Sequence, residues 1–166
     1  MRRILMFVVI VVFIPFSGHT RDFLPNAKLL GHEGFYYLLW HVYDISLYVD
    51  GDFSFEKPFF LTLNYKRKLY GEKIADRSAE EIRKLGFNDE VKLAAWHSQM
   101  RNVFPDVKEG SALSGVYKPN GPTVFYFDDA VVGVIKDPDF GKWFFGIWLS
   151  KNTSEQRLRK KLLGGL

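Results

Sequence analysis

The hydrophobic period changes three times along this chain, and the order of those changes constrains the fold more than any single residue does. Over residues 59–65, Phe59, Leu61, Leu63 and Tyr65 alternate with Phe60, Thr62 and Asn64, the two-residue period of a strand. From Gly71 to Leu85 the period becomes helical: Ile74, Ser78, Ile82 and Leu85 share one stripe, and Gly86 is placed as a C-terminal cap. A second helix follows, with Asn88 as its cap and Leu93, Trp96, Met100 and Val103 turned inward, and it must stop before Pro105. Strands then return at Leu113–Tyr117, at Thr123–Phe127 beyond the Asn120-Gly121 turn, and at Val131–Ile135 beyond Asp128-Asp129. Asp137-Pro138 opens a third helix, with Phe140, Trp143, Phe144, Ile147 and Trp148 on its apolar side. Thr153 and Gln156 form a capping box for a last helix that ends at Gly164. Ahead of all these, Leu29–Val49 reads as two strands or one bent strand, with its phase changing near His41–Asp44. Segregated runs of this kind predict an α+β fold, a largely antiparallel sheet covered by helices, and argue against a parallel α/β sheet.

The composition fits one domain. The chain has 166 residues, of which 47% are hydrophobic and 25% charged. Its 16 Phe, 8 Tyr and 4 Trp imply a bulky core and room for an apolar cavity. There is no cysteine, which excludes a disulfide framework, a thiolate nucleophile, a zinc ribbon and a lipoprotein anchor.

The N-terminus carries its own signal. Arg2 and Arg3 precede the apolar run Ile4–Phe16, which as a helix would reach only about 20 Å. That is short of a membrane span, and Ser17, Gly18 and Thr20 follow, so residues 1–20 are expected to be a secretory signal peptide and 21–166 the mature domain. The expected location is periplasmic or secreted, with no stable membrane span once the signal is removed. An uncleaved N-terminal anchor is the alternative. Without Arg2 and Arg3, the net charge of +4 falls to about +2, so a nucleic-acid footprint is not expected.

Generic catalytic motifs are absent: there is no phosphate loop, no paired histidines at helical spacing and no nucleophile elbow. His32, His41 and His97 are scattered, and no metal site is predicted from them, although one could serve as an axial ligand to haem iron. Glu80, Glu81, Asp89 and Glu90 sit near Lys and Arg and read as a solvated face. Tyr70, Lys73 and Arg77 are spaced i, i+3, i+7 and flank the Ile74–Leu85 stripe, a rim position for the mouth of a cleft.

Several blocks, in order, resemble one known family. Trp40-His41-Val42-Tyr43-Asp44-Ile45-Ser46-Leu47-Tyr48 resembles the early strand signature of the chalcone isomerase fold family. Phe104-Pro105-Asp106-Val107-Lys108-Glu109-Gly110, Asp137-Pro138-Asp139-Phe140 and Phe144-Phe145-Gly146-Ile147-Trp148-Leu149 resemble its bacterial exported branch, as do Thr153-Ser154 and Leu162-Leu163-Gly164. The resemblance runs from about Leu29 to Gly164. It implies an open-faced β-sandwich: a large antiparallel sheet backed by helices, with a ligand cleft between. The plant activity it implies is closure of a flavanone ring, which needs a cation and hydroxyl donors for the developing oxyanion. Tyr70-Gly71-Glu72-Lys73-Ile74 resembles the start of the active-site helix, so Tyr70 matches the site tyrosine. The helix asparagine position falls at Arg77, the strand threonine at Tyr43, and the threonine before the final helix near Gly146. No Arg occurs between Arg21 and Arg67, so the strand guanidinium has no counterpart.

The resemblance therefore implies an exported, non-catalytic binding protein that holds a small apolar or amphipathic ligand of the fatty acid or haem class. Tyr43, Tyr70 and Arg77 are its expected polar groups. Two alternatives stay open. One is an isomerase, an intramolecular lyase acting on an enone or flavonoid-like substrate through Tyr70 and Arg77. The other is an interaction protein whose cleft is filled by its own aromatic side chains.

Overall fold

The computed structural model describes residues 23–165; the expected signal segment, residues 1–20, lies outside them. Six strands form one sheet in the order of the chain: β1 (Lys28–Tyr37), β2 (Trp40–Val49), β3 (Phe59–Tyr65), β4 (Ala112–Tyr117), β5 (Thr123–Phe127) and β6 (Ala130–Ile135). Every neighbouring pair is antiparallel. Helices α1 (Gly71–Lys84) and α2 (Glu90–Val103) are inserted between β3 and β4, and α3 (Phe140–Leu149) and α4 (Gln156–Leu162) follow β6. The α+β architecture expected from the order of periods is the one observed.

The alternation of the strands decides which face the helices cover. Tyr43, Ile45, Leu47 and Val49 of β2 are buried, as are Phe59, Leu61, Leu63 and Tyr65 of β3, and all join the core. The helical layer meets this face through Ile82 of α1, Trp96 and Met100 of α2, and above all α3. Phe140, Phe144, Phe145, Ile147, Trp148 and Leu149 of α3 are all buried, so this helix is apolar nearly all round and occupies the centre of the layer. Phe145, absent from the apolar side read in the sequence, packs against the sheet at Gly115. A Cβ there would come within 2.9 Å of its ring, which explains a glycine in the middle of β4.

Local signals held with small displacements. Leu29–Val49 resolves into two strands, joined by a two-residue turn at Leu38 and Leu39 between the Tyr37–Trp40 pair. Leu38 has φ of 54°, a conformation normally left to glycine or asparagine, and the Leu38-Leu39 pair carries none of the residues that mark such a turn. The phase change expected near His41–Asp44 appears as a register shift between Phe35 and Tyr36 against β2. Asp89, rather than Asn88, caps α2, its carboxylate accepting from the Lys92 N–H at 2.9 Å. Asp137-Pro138 forms a turn ahead of α3 instead of its first residues: one Asp137 oxygen accepts from Asp139 N–H at 3.0 Å and the other from Trp96 Nε1 at 2.9 Å. The expected capping box is displaced: Glu155 is the N-cap of α4 and makes no side-chain cap bond, while Thr153 Oγ1 accepts from the Glu155 N–H at 3.0 Å in the turn ahead of it and Gln156 Nε2 donates to the Thr153 carbonyl.

Gly115→Val would thrust a branched side chain into the Phe145 ring. Overpacking of this kind costs about 1–3 kcal/mol, so thermal unfolding followed by circular dichroism should show a melting temperature lower by about 3–10 °C.

Candidate functional site

Between the sheet and the helical layer, the aromatic side chains do not fill the space. A cavity of about 420 Å³ remains, within the range of small-ligand sites. Its walls are apolar: Val42, Leu61, Leu63, Leu113, Phe125 and Phe144 come from five different elements. The space is continuous, which argues against a cleft plugged by its own aromatic rings.

Two buried phenols face this space, and a third lining tyrosine, Tyr37, is exposed. Tyr43 of β2 stacks on Phe35 with ring centroids 4.8 Å apart and meets Tyr65 edge-on at 5.8 Å. Its oxygen accepts a hydrogen bond from Trp148 Nε1 at 3.0 Å, while its own proton has no acceptor among the described residues. Tyr65 of β3 is 1% exposed and lines the cavity, and its hydroxyl has no hydrogen-bond partner among the described residues. Burial pushes both phenols far above the ordinary tyrosine range, so they remain protonated donors. Such groups can donate to a ligand oxygen but are poor bases.

The rim is charged. Lys73 and Arg77 of α1 and Arg67 and Lys68 of the preceding loop supply cations, and Glu81 and Glu155 supply carboxylates. Arg77 is not free: Nη2 lies 2.7 Å from Glu81 Oε1, and Nη1 lies 3.6 Å from Glu80 Oε2. Glu81 departs from the solvated face expected of it. It lies three residues beyond Ser78 on the same stripe, and its side chain is only 10% exposed. Burial would raise its carboxyl, but Lys84 Nζ at 2.9 Å, Ser154 Oγ at 3.0 Å and the Arg77 guanidinium outweigh burial and hold it below the ordinary range.

The residues expected at the site separate here. Tyr43 and Arg77 both line the cavity. Tyr70 does not: it is 52% exposed, precedes α1, and its ring lies under Lys68 Nζ at 5.0 Å. Gly146 packs toward Leu85 and lies outside the lining. The histidines are dispersed, His41 bonded to Asp44 at 2.7 Å and His97 to Asp76 at 2.8 Å, and none lines the cavity. Sequence reasoning missed Tyr65, Arg67 and Lys68. Tyr65 was legible only as an inward strand position. Arg67 and Lys68 belong to the basic run Lys66-Arg67-Lys68 at the end of β3, where, among the described residues, Lys66 alone finds a carboxylate, Asp44 at 2.8 Å.

The Glu81 network gives the fold an acid dependence of defined sign. Its folded-state pKa lies below the ordinary glutamate value of 4.5, so the pairing contributes fully above that value and is lost as pH falls through the lower folded value. In urea unfolding, the native chain should lose more stability than Glu81→Gln between about pH 5 and pH 3. Parallel slopes for the two proteins would show that Glu81 carries no such linkage.

An uncharacterized protein of Haemophilus influenzae is 31% identical over 127 residues, which cover 75% of this chain and 62% of that protein. The chain thus spans less than two thirds of that relative's length. The crystal structure of the Arabidopsis thaliana fatty-acid binding protein AtFAP1 superposes with a TM-score of 0.62 at 13% identity, covering 84% of this chain and 87% of that one. A likeness at that identity establishes a shared fold. Residues 36–164, from the end of β1 to just beyond α4, match the profile of the family described as chalcone isomerase-like. By the extent of that match, this chain belongs to the chalcone isomerase-like family.

Proposed function

We propose that this chain is a binding protein that holds one amphipathic molecule of the fatty-acid class in the helix–sheet cavity, without turning it over. The observation that carries this reading is the cavity itself: apolar walls, two protonated phenols within and a guanidinium at the rim. An acyl chain would lie among Leu61, Leu63, Leu113 and Phe125, and its carboxylate would take hydrogen bonds from Tyr43 or Tyr65 and from Arg77. The similarity to a plant protein titled fatty-acid binding supports the same class.

Two other readings fit the residues less well. Haem iron would find no imidazole, thioether or thiolate in the lining. The haem class therefore does not suit this donor set. An isomerase would need Tyr70 at the substrate, and that ring stands outside the cavity. Arg77, the other group it would use, already shares its charge with Glu81.

That sharing sets up the decisive experiment. In isothermal titration calorimetry, dodecanoate should saturate a single site and bind more tightly than dodecanol. Arg77→Ala should weaken dodecanoate about tenfold or more, as expected for loss of a charge-assisted hydrogen bond. Glu81→Gln, which releases Arg77 from its internal carboxylate, should tighten dodecanoate and leave dodecanol unchanged. Leu63→Trp should fill the cavity and abolish both. No saturable uptake of either compound, or equal response of acid and alcohol to the Arg77 and Glu81 substitutions, would overturn the reading.

We further propose export. Arg2, Arg3 and the Ile4–Phe16 run support it. N-terminal sequencing of protein recovered from the host's periplasm or medium should give a chain beginning near Arg21. An intact Met1 terminus in the cytosolic fraction would refute it.

A further inference from the structure

The β1–β2 hairpin ends in a feature that the fold has no use for. Its two turn residues, Leu38 and Leu39, are 80% and 95% exposed, and Tyr36, Tyr37 and Trp40 beside them are each more than half exposed. Isolated exposed apolar residues are ordinary, but five in succession at a protruding tip are not. The backbone adds to the anomaly. Leu38 sits at φ of 54°, where asparagine or glycine would be easier to accommodate, so leucine is present despite the conformation.

Two cations lie against exposed rings at or near the tip, while Asp44, bonded to His41 beneath Tyr36, is taken up by Lys66. Arg67 lies over the Trp40 ring at 4.7 Å and Lys68 over the exposed Tyr70 ring at 5.0 Å. Neither cation has a carboxylate partner among the described residues, whereas Lys66 is neutralised by Asp44. The arrangement is two leucines at the apex, Trp40 and the tyrosines behind them, and unpaired cations at the same level as the rings. A bilayer presents the complementary layers in that order: hydrocarbon, an interface that favours Trp and Tyr, and anionic head groups. A second copy fits poorly, because a self-complementary contact through this patch would bring Arg67 and Lys68 near their own counterparts.

We propose that the hairpin tip is a membrane-docking element that inserts Leu38 and Leu39 into an anionic lipid surface, with Arg67 and Lys68 on the head groups. Tyr37, Trp40, Arg67 and Lys68 also line the cavity, so docking in this pose sets the cavity mouth against the membrane. Tyr70, which lies outside the cavity, then has a place at the lipid interface. The docking goes beyond ligand uptake and stands whether or not the cavity holds a fatty acid.

The absence of cysteine makes the test specific to one site. Leu39→Cys, purified from the host and labelled with an environment-sensitive nitrobenzoxadiazole, is mixed with phosphatidylcholine vesicles with and without phosphatidylglycerol. Val91→Cys is the control, since it neighbours the Glu90–Arg83 pair at the opposite end of α1 from Lys68. The expected result is a blue-shifted, brightened signal at position 39 with anionic vesicles, and none at position 91. Partitioning should fall about tenfold or more in neutral vesicles and in the Arg67→Glu/Lys68→Glu variant. In the unlabelled chain, brominated anionic lipid should quench tryptophan emission, and Trp40→Phe should remove that quenching. The proposal is overturned if position 39 stays in water with anionic vesicles, even when the chain is held on them by its N-terminus. Partitioning that ignores lipid charge or the double charge reversal also overturns it. So does a position-39 signal that appears without lipid and grows with protein concentration, because the occupant would then be a second copy.

Discussion

The seating of α3 on the sheet is the contact on which the remaining geometry depends. Phe145 drops toward the notch at Gly115, with Phe59 and Tyr117 around it, and this anchors an apolar helix across the centre of the inner face. From that anchor Trp148 reaches Tyr43 and orients its hydroxyl, and Phe144 closes one wall of the cavity. A helix needs lateral support as well as a floor, and Trp96 with Phe87 and Phe140 provides it through α2. What the helix fails to cover, between its C-terminal half and the strand ends, is the cavity. Dense packing and open volume adjoin in this arrangement, since Phe145 and Gly115 also line the cavity.

Electrostatics at the rim follows a similar division. Glu81 is a buried carboxylate, and leaving it unpaired in that position would be costly. Arg77, Lys84 and Ser154 converge on it, so part of the positive charge on α1 is spent internally. Arg67 and Lys68 have no such obligation and lie instead on aromatic faces, which hold a cation without cancelling it. Two kinds of cation therefore ring one opening: those tied into the fold, available only by competition, and those that keep their full charge for an external partner. The proposed uptake of an amphipathic anion at a lipid surface would use both.

Much of this was legible beforehand, and the failures have physical causes. Strand and helix order, the inward stripes of α1 and α2, and the apolar character of α3 all follow from period, because burial on one face imposes it locally. The hairpin turn was invisible because Leu38 and Leu39 lack turn chemistry; the β1–β2 pairing, with α4 packed against β1, places a bend where local preference would not. Glu81 was misread as solvated because charge is a strong cue for exposure, and its partner Ser154 lies 73 positions away. Tyr70 matched a family pattern, yet it precedes the first turn of α1, and its ring turns toward Lys68 rather than into the cavity.

By itself, then, the order of residues determined the elements, the side each one buries and the kinship of the chain, since these depend on neighbours within a few positions and on blocks of identity. Only the tertiary structure decided that the aromatic side chains leave a void, that Tyr43 meets Trp148 across 105 residues and that Arg77 is already engaged. Unfilled volume is the difference between the space the elements enclose and the side chains that enter it, and no local pattern encodes that difference. The availability of a charge is set in the same way, by which distant groups the fold brings within a few ångströms of it.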